Sequence, residues 1–169
     1  MTATDRFHEA LQPNEENRSD GQSSHQRENR ITGVTMSIPK RAREFMSHGR
    51  VMALATSTQA GEPNVVPMQQ CWWYDDHTMI IGDFFMKATK ANILENGRAA
   101  FTVWTDNPRE AYKFVGAAQY LTAGPEYDFA NDAMKKKTPG KDFKGVVVVR
   151  VEKVYDAKSG PTAGDLIAE

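Results

Sequence analysis

Between Val51 and Tyr155 the chain offers a series of short apolar, β-branched runs, separated mostly by gaps of turn length. That spacing constrains the fold more than any other feature. Hairpin-length links let neighbouring strands pair antiparallel, whereas a parallel pair needs a crossover of a dozen or more residues. Six strands are predicted: Val51 to Thr56, Pro63 to Trp73, Thr78 to Gly82, Arg98 to Thr105, Ala111 to Ala123 and Gly145 to Tyr155. Three short helices punctuate them, over Pro39 to His48, Lys87 to Asn96 and Pro125 to Lys137. The pattern implies a mostly β domain closing as a small barrel or sandwich. A small barrel has little interior room, so a ligand must sit on its outside or at a subunit contact.

Single residues refine this reading. Pro63 and Pro67 cannot donate to a ladder, which argues against a central place for their strand. Gly116 marks a bulge or bend in a strand that is otherwise long. Val146 to Val149 reads as a buried strand, and the alternation from Arg150 onward wets one face. Ser37 is placed to cap the first helix, which turns Ala42, Phe45 and Met46 inward and stops at Gly49. Tyr127, Ala130 and Met134 share a face of the third helix, and Lys135 to Lys137 suit the negative end of its dipole. Asp106-Asn107-Pro108-Arg109 is a turn, and the end from Ser159 to Glu169 reads as an irregular tail.

Residues 1 to 35 are of another kind, rich in Asn, Gln, Ser, Glu and Arg and poor in branched aliphatics. Such a segment cannot bury enough apolar surface to offset its ordering entropy, so a disordered tail is expected. The folded domain is expected over 36 to 158, and Met36 is an alternative start of the native chain. A native mass that includes the first 35 residues would contradict that start. The formal net charge is −1, which offers no global field for nucleic acid or acidic membrane. One cysteine excludes an internal disulfide, and the four histidines lack metal-ligand spacing. No apolar run approaches the ~20 residues that span a bilayer. The start lacks a signal-peptide core, so a cytoplasmic protein is expected.

The segment Gly82 to Gly97 carries the most chemistry. It leaves a strand and becomes a short helix ended by a glycine, a residue suited to a left-handed C-cap. Lys87, Thr89 and Lys90 fall in the helix's first turn. Unpaired backbone N–H groups and the dipole favour an anion there, so a phosphate is one reading. A solvated helix start with ordinary surface lysines is the other.

Other catalytic signatures are missing: no nucleophile elbow, no Walker A loop and no Gly-x-Gly-x-x-Gly. His48 and His77 read as surface residues, Cys71 as a small buried residue and Asp75-Asp76 as turn residues. Trp72, Trp73, Phe84, Phe85, Trp104 and Tyr112 lie near the helix start in sequence. Aromatic residues are more often core, yet a flat phosphorylated ligand needs this combination of donors and apolar surface.

From Arg50 to Val154 the chain resembles the pyridoxamine 5′-phosphate oxidase-like superfamily of FMN-binding split barrels, and in particular its small prokaryotic FMN-binding flavoproteins. The resemblance is carried by Val51-Met52-Ala53-Leu54-Ala55-Thr56, by Gly61-Glu62-Pro63 leading to Val65-Val66-Pro67, by Gly82 to Met86 with Lys87-Ala88-Thr89-Lys90-Ala91-Asn92-Ile93, and by Asn96-Gly97-Arg98-Ala99-Ala100-Phe101. It implies a six-stranded antiparallel split β-barrel, a homodimer, and FMN in grooves between the subunits. Val66, Pro67, Met68 and Gln69 would lie along the flavin edge. Gly82, Asp83 and Met86 would border its ring and ribityl chain. Lys87, Thr89 and Lys90 would hold the phosphate, with Asn92 near the same turn. The function implied is an FMN-dependent oxidoreductase with a small-molecule or protein electron donor; an FMN electron carrier, a deazaflavin binder, a haem binder and a barrel without cofactor are the alternatives. True pyridoxamine phosphate oxidases differ at Ala88-Thr89, at Ala111 and after Val149, so that activity is not expected. Lys113 and Gln119 lie on the strand expected to approach the groove.

Overall fold

The structure, a computed structural model, describes residues 36–46, 49–106 and 109–169. The expected disordered tail and His48 lie outside the described residues. Helix α1 spans Lys40–Phe45, with Pro39 rather than Ser37 at its N-cap. Ala42, Phe45 and Met46 are buried, as their spacing requires. The strands are β1 Met52–Ser57, β2 Pro63–Met68, β3 Cys71–Trp73, β4 Thr78–Asp83, β5 Arg98–Trp104, β6 Ala111–Leu121, β7 Gly145–Asp156 and β8 Leu166–Ala168. Helix α2, Ala88–Asn96, separates β4 from β5, and α3, Pro125–Lys137, separates β6 from β7.

All strand pairs are antiparallel, in the order β2-β1-β5-β6-β7-β4-β3, with β8 paired to the outer part of β7. The two outermost strands, β2 and β3, are joined by only Gln69 and Gln70. So short a link spans no more than about 10 Å, so the sheet must curl until its edges face each other. The fold is therefore the expected split barrel, with eight strands among the described residues in place of six.

Both extra strands have local causes. The single strand expected over Pro63 to Trp73 breaks where the Cys71 N–H donates back to the Gln69 carbonyl at 3.1 Å. That tight turn swings the chain from one sheet edge to the other. The end expected to be irregular is anchored by Asp156, whose carboxylate accepts from the Thr162 hydroxyl at 2.8 Å and the Lys158 N–H at 3.0 Å. The loop so held returns Leu166–Ala168 to β7. Gly116 is a bulge, with the β6–β7 register shifting between Val115 and Gly116. A Cβ there would meet the Arg150 carbonyl oxygen at 1.9 Å, so only glycine fits.

The main core fills the curl with Met52, Leu54, Phe101, Phe114, Val147, Val149 and neighbours, under the lid of α1. Phe101 and Phe114 stack at 4.7 Å. A second cluster of Ile80, Ala130, Met134, Phe143 and Val146 seats α3 on the other face of β4 and β7. With both faces of β7 covered, its unbroken valine run follows.

Candidate functional site

The split between the sheet edges holds a groove of about 440 Å³. One wall is β2, through Asn64, Val66, Pro67 and Met68, continued by Gln69 and Gln70. The other wall is the end of β4, the turn 84–87 and the first residues of α2, Ala88 and Thr89. The groove thus brings together Val66, Pro67, Met68, Gln69, Gly82, Asp83, Met86, Lys87 and Thr89. Lys90 and Asn92 do not line it. The Lys90 ammonium lies 4.6 Å from the centre of the Tyr120 ring. Asn92 is buried, and its amide donates to the Thr56 hydroxyl at 3.1 Å.

The turn into α2 is set by one carboxylate. Asp83 is buried, and accepts from the Met86 N–H at 2.6 Å and the Tyr120 hydroxyl at 2.7 Å. Burial and that hydrogen bond push the Tyr120 phenol well above its ordinary pKa, so it stays a donor. Asp83 is therefore occupied in holding the wall. Gly82 lends the groove only its backbone, since a Cβ there would meet the Phe143 ring at 2.2 Å.

Helix α2 begins with Lys87 at the N-cap, and its first intrahelical bond runs from Ala91 N–H to the Lys87 carbonyl at 3.0 Å. The N–H groups of Ala88, Thr89 and Lys90 precede that bond and have no carbonyl within the helix. Lys87 is exposed at the same place and forms no ion pair among the described residues. Thr89 is only 2% exposed, and its oxygen accepts from the Asn64 amide at 3.0 Å. One end of the groove is thus an anion pole. The rest is mainly apolar, through Val66, Pro67, Met68, Phe84, Phe85 and Met86, with Gln69, Gln70 and Asp83 as its polar members. A flat ring carrying a phosphate fits this donor set.

Asn64, Gln70 and Ala88 line the groove although the sequence reading passed over them. An asparagine in a Val-rich strand was the available signal, because strands are depleted in it. Of the aromatic residues near the helix start in sequence, Phe84 and Phe85 line the groove. Trp73 packs on Phe101 and Phe114, Tyr112 packs on Phe45, and Trp72 faces Phe143. Trp104 is exposed on β5. Lys113 lies over Tyr155 at 4.2 Å, and Gln119 faces solvent beside β7; neither lines the groove. Burial pushes the Cys71 thiol up to about 12, so it stays protonated and unreactive. Among the described residues no group of His, Cys, Asp or Glu could hold a metal ion, and no helix is long and apolar enough to cross a membrane.

Comparison with known proteins gives one family. The family model described as pyridoxamine 5′-phosphate oxidase matches residues 38–158. An uncharacterized protein of Methanocaldococcus jannaschii is 36% identical over 122 residues, covering 70% of this chain and 80% of the relative. Among solved structures, HupZ of Group A Streptococcus superposes with a TM-score of 0.65 at 27% identity, covering 75% of this chain and 99% of that one. An FMN-binding protein from Syntrophomonas wolfei gives 0.54 at 21% identity, covering 70% and 89%. An F420 reductase gives 0.54 at 22% identity, covering 69% and 98%. The last two establish a shared fold.

Proposed function

The chain belongs to the pyridoxamine 5′-phosphate oxidase family, and from that premise we propose that its groove binds FMN and that the protein is an oxidoreductase acting on a small acceptor. The observation that carries the reading is the pairing of an apolar slot with an anion pole at the start of α2. Lys87, the Thr89 hydroxyl and the first N–H groups of α2 would hold the phosphate through charge-assisted hydrogen bonds. Val66, Met68, Phe84 and Met86 would shield the ring, and the backbone of Pro67 to Gln69 would run along its edge. FMN would supply the redox chemistry. The chain's own part is to bind, orient and exclude water.

Pyridoxamine 5′-phosphate is not the proposed substrate, because Ala88, Thr89 and Ala111 stand where true oxidases of that substrate differ. A reduced nicotinamide or a protein is the proposed electron donor, and the cytoplasm the proposed location. The competing cofactor is a deazaflavin, supported by the F420 reductase of the same fold. A homodimer is also proposed. Phe85 at 84% and Val65 at 63% exposure leave apolar surface beside the groove for a second subunit to cover; a monomeric mass by light scattering would contradict this.

The visible spectrum of the purified protein, before and after added FMN, tests the cofactor. Flavin bands that stay with the protein through gel filtration are expected. Retention of F420 instead would move the assignment to the deazaflavin. A protein retaining neither would overturn the reading.

A further inference from the structure

We propose that Asn64 is a positioning residue that fixes the Thr89 hydroxyl as a donor into the groove, and so selects a ligand ending in a phosphate monoester. The inference rests on the reading that the groove takes a flavin phosphate. Asn64 spends both N–H groups of its amide on hydroxyl oxygens, Thr56 at 3.1 Å and Thr89 at 3.0 Å. A hydroxyl that accepts at its oxygen has one proton left to place. For a threonine deep in a helix that proton commonly goes to the carbonyl four residues back. Thr89 is the second residue of α2, and four residues back from it is Phe85, before the helix begins. Its proton has no helical carbonyl, and Thr89 is among the residues that line the groove beside Lys87.

The amide that directs it is itself held. Thr56 Oγ1 accepts a second N–H, from Asn92 at 3.1 Å, so β1, β2 and α2 meet in one polar junction. Thr56, Thr89 and Asn92 are each at most 7% exposed. The junction lies against a strand with no fully buried residue, and its Asn64–Thr89 bond ties β2 to α2 through side chains. A phosphate monoester near neutral pH offers mainly acceptor oxygens and close to two negative charges. It answers a hydroxyl turned outward, and it gains further from Lys87 and the helix dipole. A phosphate-free ring gains from neither.

The test compares FMN with riboflavin, which lacks the phosphate, by fluorescence titration of the full chain. The wild type is expected to prefer FMN. Asn64→Asp keeps the shape but presents an acceptor to Thr89, drawing the hydroxyl proton away from the groove. FMN affinity should then fall at least about tenfold, while riboflavin affinity stays within about twofold. Because the new carboxylate also repels phosphate, an Asn64→Ala, Thr89→Val cycle accompanies it. Each single change should lower the FMN-to-riboflavin preference about fivefold, and the pair no further than either alone. Independent, multiplying losses in the cycle would overturn the role of Asn64. So would equal weakening of both ligands by Asn64→Asp, which would mean only a damaged wall. A wild type that binds both ligands equally would remove the phosphate reading itself, before any variant is made.

Discussion

β7 and β2 belong to one sheet and are held in it by opposite means. In β7, Val146, Val147, Val149, Val151 and Val154 are all at most 3% exposed, and both strand edges are paired, to β6 and β4. β2 has no buried residue and borders only β1 among strands. Full burial of a valine is worth about 1.5–3 kcal/mol, whereas a net hydrogen bond such as those of Asn64 contributes about 1 kcal/mol. The centre is therefore dry and costly to open. The edge is held by its ladder to β1, the half-buried Val66 and Met68 and a few polar contacts, toward the low-stability end from which ligand-binding segments are drawn. The β2 wall of the groove is built from the second kind of material.

Three changes break or sharpen that contrast. The largest effect is expected from Phe114→Ala, which removes a ring stacked on Phe101 and edge-on to Trp73. It should cost about 3–5 kcal/mol of stability in urea titration and leave the FMN affinity of the folded fraction unchanged. A selective loss of binding would mean that the core and groove are not separable. Next comes Lys87→Ala with Thr89→Ala. FMN affinity should fall by about 2–4 kcal/mol, with stability lowered by only about 1 kcal/mol for the lost Asn64 bond. An unchanged FMN titration would withdraw the phosphate assignment. The smallest effect lies in neither region. The hydrogen bond from Arg41, aided by Tyr112 and opposed by burial, holds the Glu110 carboxyl below its usual range. Such a group contributes stability above the unfolded carboxylate pKa of about 4.3 and loses it as pH falls through the lower folded value. Glu110→Gln should slightly flatten the fall in stability between pH 7 and pH 3. An acid limb that is unchanged would assign the pH dependence to other carboxylates.

The same contrast explains what could be read from the chain alone. Local chemistry was legible. Gly97 ends α2 in the left-handed conformation, Pro125 starts α3, and Gly116 bulges β6. Pro63 and Pro67 put their strand at the edge. What depends on a distant partner was not. Asn92 is three residues beyond Thr89 and shares its inward face, but what lies inward is Thr56 on β1, far back in the chain. Lys90 is turned about 100° from Thr89, toward Tyr120 rather than the groove. The break at Gln69 follows one hydrogen bond and the return of β8 the few bonds around Asp156, none of which a hydrophobic period reports.

The two prolines of β2 have one more consequence. Pro63, Val65 and Pro67 alternate with the residues between them, so all three direct their backbone to the same side of the strand. Proline cannot bond to β1, which makes that side the outer one. Of its three positions only Val65 keeps an N–H. A foreign strand approaching this open border would find one donor where a ladder needs three. The protein can leave its sheet unclosed, with room for a ligand, without offering a template on which other chains could stack into fibres.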